Sequence, residues 1–170
     1  MRVVRRQAVS LTADAFAPFG WLPVADSDPA DGTHTLAYEW GDAHLNVIAH
    51  AFDEVEHTDA GARCDHLYRH DSHTQALMPL NVDAIVAVAP AATDFSNGEH
   101  LDDIRAFLLE PLDCFVLHRG TWHWGPYPLG SQAVRLLNVQ GRRYLEDNAS
   151  VDLVATVDGI VEVVVDGLPR

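Results

Sequence analysis

Histidine offers this chain most of its chemistry, with ten in 170 residues. Two local groups stand out. The first is His66, His70 and His73, around the string Leu67-Tyr68-Arg69-His70. The second is His118 and His123, within His118-Arg119-Gly120-Thr121-Trp122-His123. An imidazole titrates near neutrality, so it can carry a proton in either direction or, when neutral, bind a metal ion. If the first string is extended, alternation puts His66, Tyr68 and His70 on one face and Arg69 on the other. In the second string Gly120 permits a tight turn three residues ahead of His123. Arg69 and Arg119 are candidates for function, against structural salt bridges in an acid-rich chain. Gln75 can brace a loop or face a ligand, and Trp122 and Trp124 suit apolar walls. His66 and His73 read as packing or solvent-facing residues. His34, His44, His50, His57 and His100 carry no functional reading.

Short strands must position these groups, because no long helix is visible. The one helical start is Thr12, an N-cap candidate, with Leu11 and Phe16 placed to staple the chain entry. Pro18 and Gly20 keep that helix short. Residues 24–35 are turn formers and read as a loop. Leu36 to Phe52 reads as two strands hinged near Gly41-Asp42, and Asp53 to Arg63 as a polar connection. A strand-like stretch runs from Cys64 to Met78, and Val82 to Val88 is a buried strand by its β-branched content. Phe95 to Asp103 reads as a loop. Ile104 to Leu109 and Cys114 to His118 are strands around the turn Glu110-Pro111-Leu112-Asp113. Trp122 to Gly130 is aromatic and rich in Pro and Gly, and Val134 to Val139 and Ile160 to Val165 are strands. No internal repeat or linker divides the chain, so residues 1–170 read as a single all-β domain, a sandwich or barrel with the jelly roll among the standard solutions.

Composition narrows the partners. Hydrophobic residues make up 48% and charged residues 21%, the balance of a folded protein rather than a disordered one. The 11 basic residues are all Arg, against 25 acidic ones, for a net charge of −14. Without lysine, a Schiff-base mechanism or a lysine-anchored phosphate loop cannot operate. The acidic balance argues against nucleic acid or an anionic membrane as partner. The longest apolar run, Ala84 to Ala92, is broken by Pro90 and falls short of the roughly 18 residues of a span. The start, Met1 to Arg6, has no apolar signal core behind its charges, and Cys64 and Cys114 read as two buried thiols rather than a bridge. Both readings point to the cytoplasm.

The two histidine groups resemble the paired motifs of cupins, H-x-H-x(3,4)-E and a turn glycine three residues before a last His. On that template Tyr68 stands at the first His, His70 at the second, Gln75 at the Glu and His123 at the last His. The resemblance implies a cupin-like jelly-roll β-barrel with one or two short helices. It also implies a divalent metal on His70, Gln75 and His123, weakly held because an amide oxygen carries no charge, or no cofactor at all.

A closer resemblance covers most of residues 10–150. Leu67-Tyr68-Arg69-His70 followed by Thr74-Gln75-Ala76-Leu77-Met78-Pro79-Leu80 is similar to the L-E-R-H-P-x-G-T-Q-A-F-I-P-L signature of ureidoglycolate lyases. Leu101 to Phe107 resembles that family's D-L-x-x-L-R-A-F, His118 to His123 its H-R-G-x-W-H, and Phe16 to Gly20 its F-x-P-F-G. Order and spacing agree across all four. The resemblance implies a homodimeric enzyme of purine catabolism that splits a small carboxylate, ureidoglycolate, into glyoxylate and urea. Departures fall in the pocket: Tyr68 replaces Glu, Asp71-Ser72-His73 replaces Pro-x-Gly, Trp124 replaces His, and Val139-Gln140-Gly141 replaces an acidic-Arg-Gly ending. The family's R-Y-H-D-like segment has no counterpart in Thr35 to Asp42.

Breakdown of this carbinolamide takes one proton from the hydroxyl and gives one to the leaving urea nitrogen, work suited to imidazole. The resemblance therefore implies His118, His123, Arg69 and Tyr68 as catalytic groups, and Arg119, Gln75 and Trp122 as substrate contacts. A guanidinium would clamp the carboxylate. Two alternatives stay open. One is a metal-dependent cupin isomerase or dioxygenase acting on a small hydroxy acid; the other is a non-catalytic cupin that binds a small molecule.

Overall fold

The computed structural model describes residues 1–24 and 34–167. Its nine-stranded sheet contains β1 (Arg2–Ser10), β4 (His57–Thr58), β5 (Gly61–Cys64), β6 (His66–His70), β8 (Ala84–Ala89), β9 (Arg105–Leu109), β11 (Trp122–Pro128), β13 (Asn148–Asp152) and β14 (Gly159–Val164). They run in the order β13-β6-β11-β8-β9-β1-β14-β5-β4. A five-stranded sheet holds β2 (Gly20–Trp21), β3 (Ala43–His50), β7 (Gln75–Pro79), β10 (Phe115–Leu117) and β12 (Val134–Gly141), ordered β2-β10-β7-β12-β3. Two short helices, α1 (Ala13–Phe16) and α2 (Leu153–Val157), complete the regular structure alongside single 3-10 turns. The expected all-β, cupin-like architecture is present.

β8 explains why one strand carries an unbroken apolar run. All six of its residues are buried. Ala84, Val86 and Val88 face the core between the sheets, with Leu77, Phe107, Phe115 and Leu136. Ile85, Ala87 and Ala89 face a second core under the curl of the large sheet, with Trp122, Trp124 and Val161. A strand covered on both faces has no polar side to show, so alternation disappears. At one end of the inter-sheet core α1 acts as a plug: Thr12 Oγ1 accepts from the Ala15 amide at 3.4 Å, and Phe16 is wholly buried.

The structure departs from the sequence reading in several places, and the strand-like stretch from Cys64 to Met78 divides into β6 and β7 on different sheets. Leu36 to Phe52 yields one strand, β3, instead of two. The preceding segment docks on Thr74, whose hydroxyl accepts from the Ala37 amide at 2.9 Å and whose amide donates to the Ala37 carbonyl at 3.0 Å. The polar connection at 53–63 contains β4 and most of β5, because β14 supplies a partner for Gly61 to Cys64. β1 lacks a readable alternation and owes its existence to parallel partners on both sides, β14 for residues 2–7 and β9 for 8–10. β13 and α2 follow each other where no element was expected; β13 pairs along β6, and the Asp152 side chain caps α2 through the Ala155 amide. The Pro/Gly-rich segment after Trp122 is strand β11, with a shift of register between Trp124 and Tyr127 that absorbs Gly125 as a bulge.

Both cysteines are free thiols, Cys64 buried and Cys114 half-buried, and burial raises the pKa of each. Among the described residues no helix is long and apolar enough to cross a membrane.

Candidate active site

The two histidine groups meet. β6 and β11 are hydrogen-bonded neighbours with Tyr68 opposite His123, so the two side chains share a face, and His70 follows two residues along that face. The ring centroids of His70 and His123 lie 5.5 Å apart. Gly120 sits at φ +77°, a turn conformation that favours glycine, and its amide donates to the His70 carbonyl at 2.7 Å. That bond ties the turn before His123 directly to the strand that carries His70.

Facing them across the barrel, β3, β7 and β12 turn amides inward. Gln75 Nε2 donates to Asn138 Oδ1 at 2.9 Å and to Gln140 Oε1 at 3.2 Å, and Asn138 Nδ2 donates to Asn46 Oδ1 at 2.8 Å. With both amide hydrogens committed, the buried Gln75 Oε1 is left without a partner. The resulting cleft of about 250 Å³ is lined by His70, His123, Tyr68, Gln75, Gln140, Asn46, His50, Tyr127, Tyr144 and Asn148, among others. It is smaller than the roughly 300–1,000 Å³ of pockets that hold drug-sized ligands.

Burial governs the electrostatics. It is the largest cause holding His123 down at about 4 and His70 at about 3, with the imidazoles of His123 and His73 adding to the effect on His70. Both rings are therefore neutral at neutral pH. His123 Nδ1 lies 3.2 Å from the Thr121 carbonyl. A carbonyl only accepts, so Nδ1 carries the hydrogen and Nε2 keeps its lone pair.

These depressed values predict acid sensitivity. Unfolded imidazoles take up protons near pH 6.5, whereas the folded ones resist down to about 4 and about 3. The unfolded chain then holds more protons between those values, so the two rings contribute stability that is present above about pH 6.5 and lost as pH falls through the window. The expected slope is about 1.4 kcal/mol per pH unit per histidine. Urea unfolding at a series of pH values measures it, and His123→Gln should shed one histidine's share. An unchanged slope in that variant would contradict the assignment.

The structure separates the expected site residues into two sets. Tyr68, His70, Gln75 and His123 line the cleft together. Arg69, Arg119 and Trp122 do not, and His118 shares with His70, Gln75 and His123 only a narrower cavity beside it. Arg69 takes the opposite face of β6, as alternation required, and its guanidinium lies 4.5 Å above the Trp122 ring. Trp122 belongs to the second core, its Nε1 donating to the Thr93 carbonyl at 2.8 Å. His118 tilts against Trp21 at 5.3 Å, and Arg119 is exposed. Among the described residues no guanidinium lines the cleft. Sequence reasoning missed Asn46, His50, Tyr127, Tyr144 and Asn148; it named Gln140 only as a departure from the family signature, and the buried His73 only as such a departure and as a packing or solvent-facing residue. β3 carried a readable signal for two of them: its polar residues alternate inward while Leu45 and Val47 point to solvent, at 64% and 48% exposure.

His73 is 1% exposed and its ring lies 4.5 Å from that of His70. The tightest group of metal-capable atoms among the described residues is His70, His73 and Asp147, all within 4.8 Å of one another. His123 is outside that group; with His70 and Gln75, the donor set expected from the cupin template, it lines the cleft.

A two-sheet β-barrel with paired imidazoles at a small polar cleft defines the class as a cupin-like protein. Within that class, the sequence profile of ureidoglycolate lyase matches residues 4–158, and the chain belongs to the ureidoglycolate lyase family. That membership makes it an enzyme of lyase type. No curated protein matches the chain.

Proposed function

We propose that the protein splits ureidoglycolate into glyoxylate and urea, with His123 as the proton-transfer group. The observation that carries this reading is the fixed tautomer of His123, whose neighbour Thr121 leaves Nε2 as the basic atom of a ring that lines the cleft. In the reaction Nε2 takes the proton of the carbinol hydroxyl. The C–N bond breaks as the C=O bond of glyoxylate forms, its electron pair leaves on the urea nitrogen, and the same imidazolium returns the proton there. One ring thus serves both steps, and no net charge remains on the protein.

The rest of the cleft suits the substrate by hydrogen bonding rather than by charge. Gln75 Oε1 is an acceptor aimed at no protein donor, a fitting partner for a ureido N–H. Asn46, Asn148 and the tyrosines supply donors for the carboxylate. No step runs through a metal; an ion held by the template set of His70, Gln75 and His123 would polarise the hydroxyl.

The test is release of glyoxylate and urea in equal amounts from ureidoglycolate by the purified chain. Turnover of a related hydroxy acid in its place, or binding without turnover, would overturn the reading.

A further inference from the structure

We propose that His70, His73 and Asp147 form a divalent-cation site at the back of the cleft, of the kind that takes zinc or cobalt. Two imidazoles and a carboxylate are the donors such ions prefer, and their ligand atoms already lie within 4.8 Å of one another. Around a tetrahedral ion with bonds of about 2.0–2.1 Å, ligand atoms sit about 3.4 Å apart, so small ring rotations close the set.

Two further observations point to an occupant. The first is an unpartnered atom: His73 Nε2 is buried without a hydrogen bond. A buried nitrogen left unsatisfied is costly, and an ion would satisfy it. His73 is also cradled: a Cβ at Gly141 would stand 2.9 Å from its Nδ1. The second is charge. The Asp147 side chain is 9% exposed, and its one ion-pair contact among the described residues is with His73 Nδ1, at 3.2 Å and out of hydrogen-bond alignment. The Asp71 and Ser72 amides donate to its oxygens at 3.2 and 2.8 Å, which orients the carboxylate without neutralising it. His70 lines the cleft as well, so an ion on this set lies beside the substrate space.

This centre differs from the cupin template. Tyr68 stands at the template's first histidine, and the second imidazole here comes from His73, three residues after His70 instead of two before it.

The experiment uses the full chain stripped with a chelator and titrated with Co²⁺, read by visible absorption and by elemental analysis after dialysis. The wild type should bind one ion per chain and show the absorption of imidazole-ligated cobalt. His73→Ala should abolish the spectrum. Asp147→Asn should weaken binding by at least about 10-fold, the usual scale for a lost carboxylate partner at a metal site. Near-UV circular dichroism checks that each variant is folded, and should His73→Ala not fold, Asp147→Asn decides. His123→Gln, outside the set, should bind within about threefold of wild type. No bound cobalt in the wild type, unaltered binding in His73→Ala or Asp147→Asn, or loss confined to His123→Gln would each overturn the proposal. Binding is read without substrate, so failure of the lyase reading and failure of this site are separate results.

Discussion

His123→Gln should lower the rate of glyoxylate release by roughly 10²–10⁴-fold, the range for losing a general acid or base. The amide keeps much of the side-chain volume and can still hydrogen-bond the Thr121 carbonyl, but it has no lone pair that picks up a proton. The loss should fall mainly on kcat, since the proton moves only during the reaction. The fold should persist, because the variant replaces one buried polar group by another. The competing outcome is a protein destabilised by about 1–3 kcal/mol, as for a disturbed buried hydrogen bond, with near-normal turnover per folded molecule. Measuring kcat and the melting temperature on the same preparation separates the two, and the second result would remove His123 from the reaction.

Phe16→Ala should produce the largest loss of stability, about 3–5 kcal/mol. Phe16 has no exposed surface, and its ring stands edge-on to Phe107 and Phe115, each at 5.4 Å between centroids. It is the side chain by which α1 closes the inter-sheet core, so truncation leaves a cavity among rings fixed by two different sheets. For a chain of this length such a loss lowers the melting temperature by roughly 6–20 °C. A loss below about 1 kcal/mol would mean that the core collapses around the gap and that α1 is not its plug.

What could be read in advance followed from local rules. Thr12 announced α1 because capping is a matter of a few adjacent residues, and the β-branched run from Val82 to Val88 announced a buried strand. Alternation correctly sent His70 and Tyr68 to one face and Arg69 to the other. Even so, the motif resemblance kept Arg69 as a catalytic candidate, although the face that alternation gave it points away from the cleft. What stayed hidden depends on partners distant in sequence. β1 is a strand because β14 and β9 flank it, and nothing in residues 2–10 encodes that. His73 read as a packing or a solvent-facing residue, because nothing adjacent to it in sequence decides between the two. Its burial comes from β12 at Gly141, from Asp147 and from the docked segment at Tyr38, whose ring stacks on it at 6.5 Å. Gln75 was singled out on its own, but the amide row it forms with Asn138, Gln140 and Asn46 was not legible, since three separate strands contribute to it.

The parallel pairing of β1 with β14, in which Arg2 lies opposite Gly159, has a consequence for how the protein is made. A ribosome adding about 5–20 residues per second takes on the order of ten to thirty seconds to produce the second strand after the first has emerged. Throughout that interval the edge of β1 that β14 will cover stays open, as does the side of the second core that Val161 and Val163 will fill. The large sheet is thus completed only once β14 has emerged, and a nascent chain stalled before β14 presents an unpaired edge strand to its neighbours.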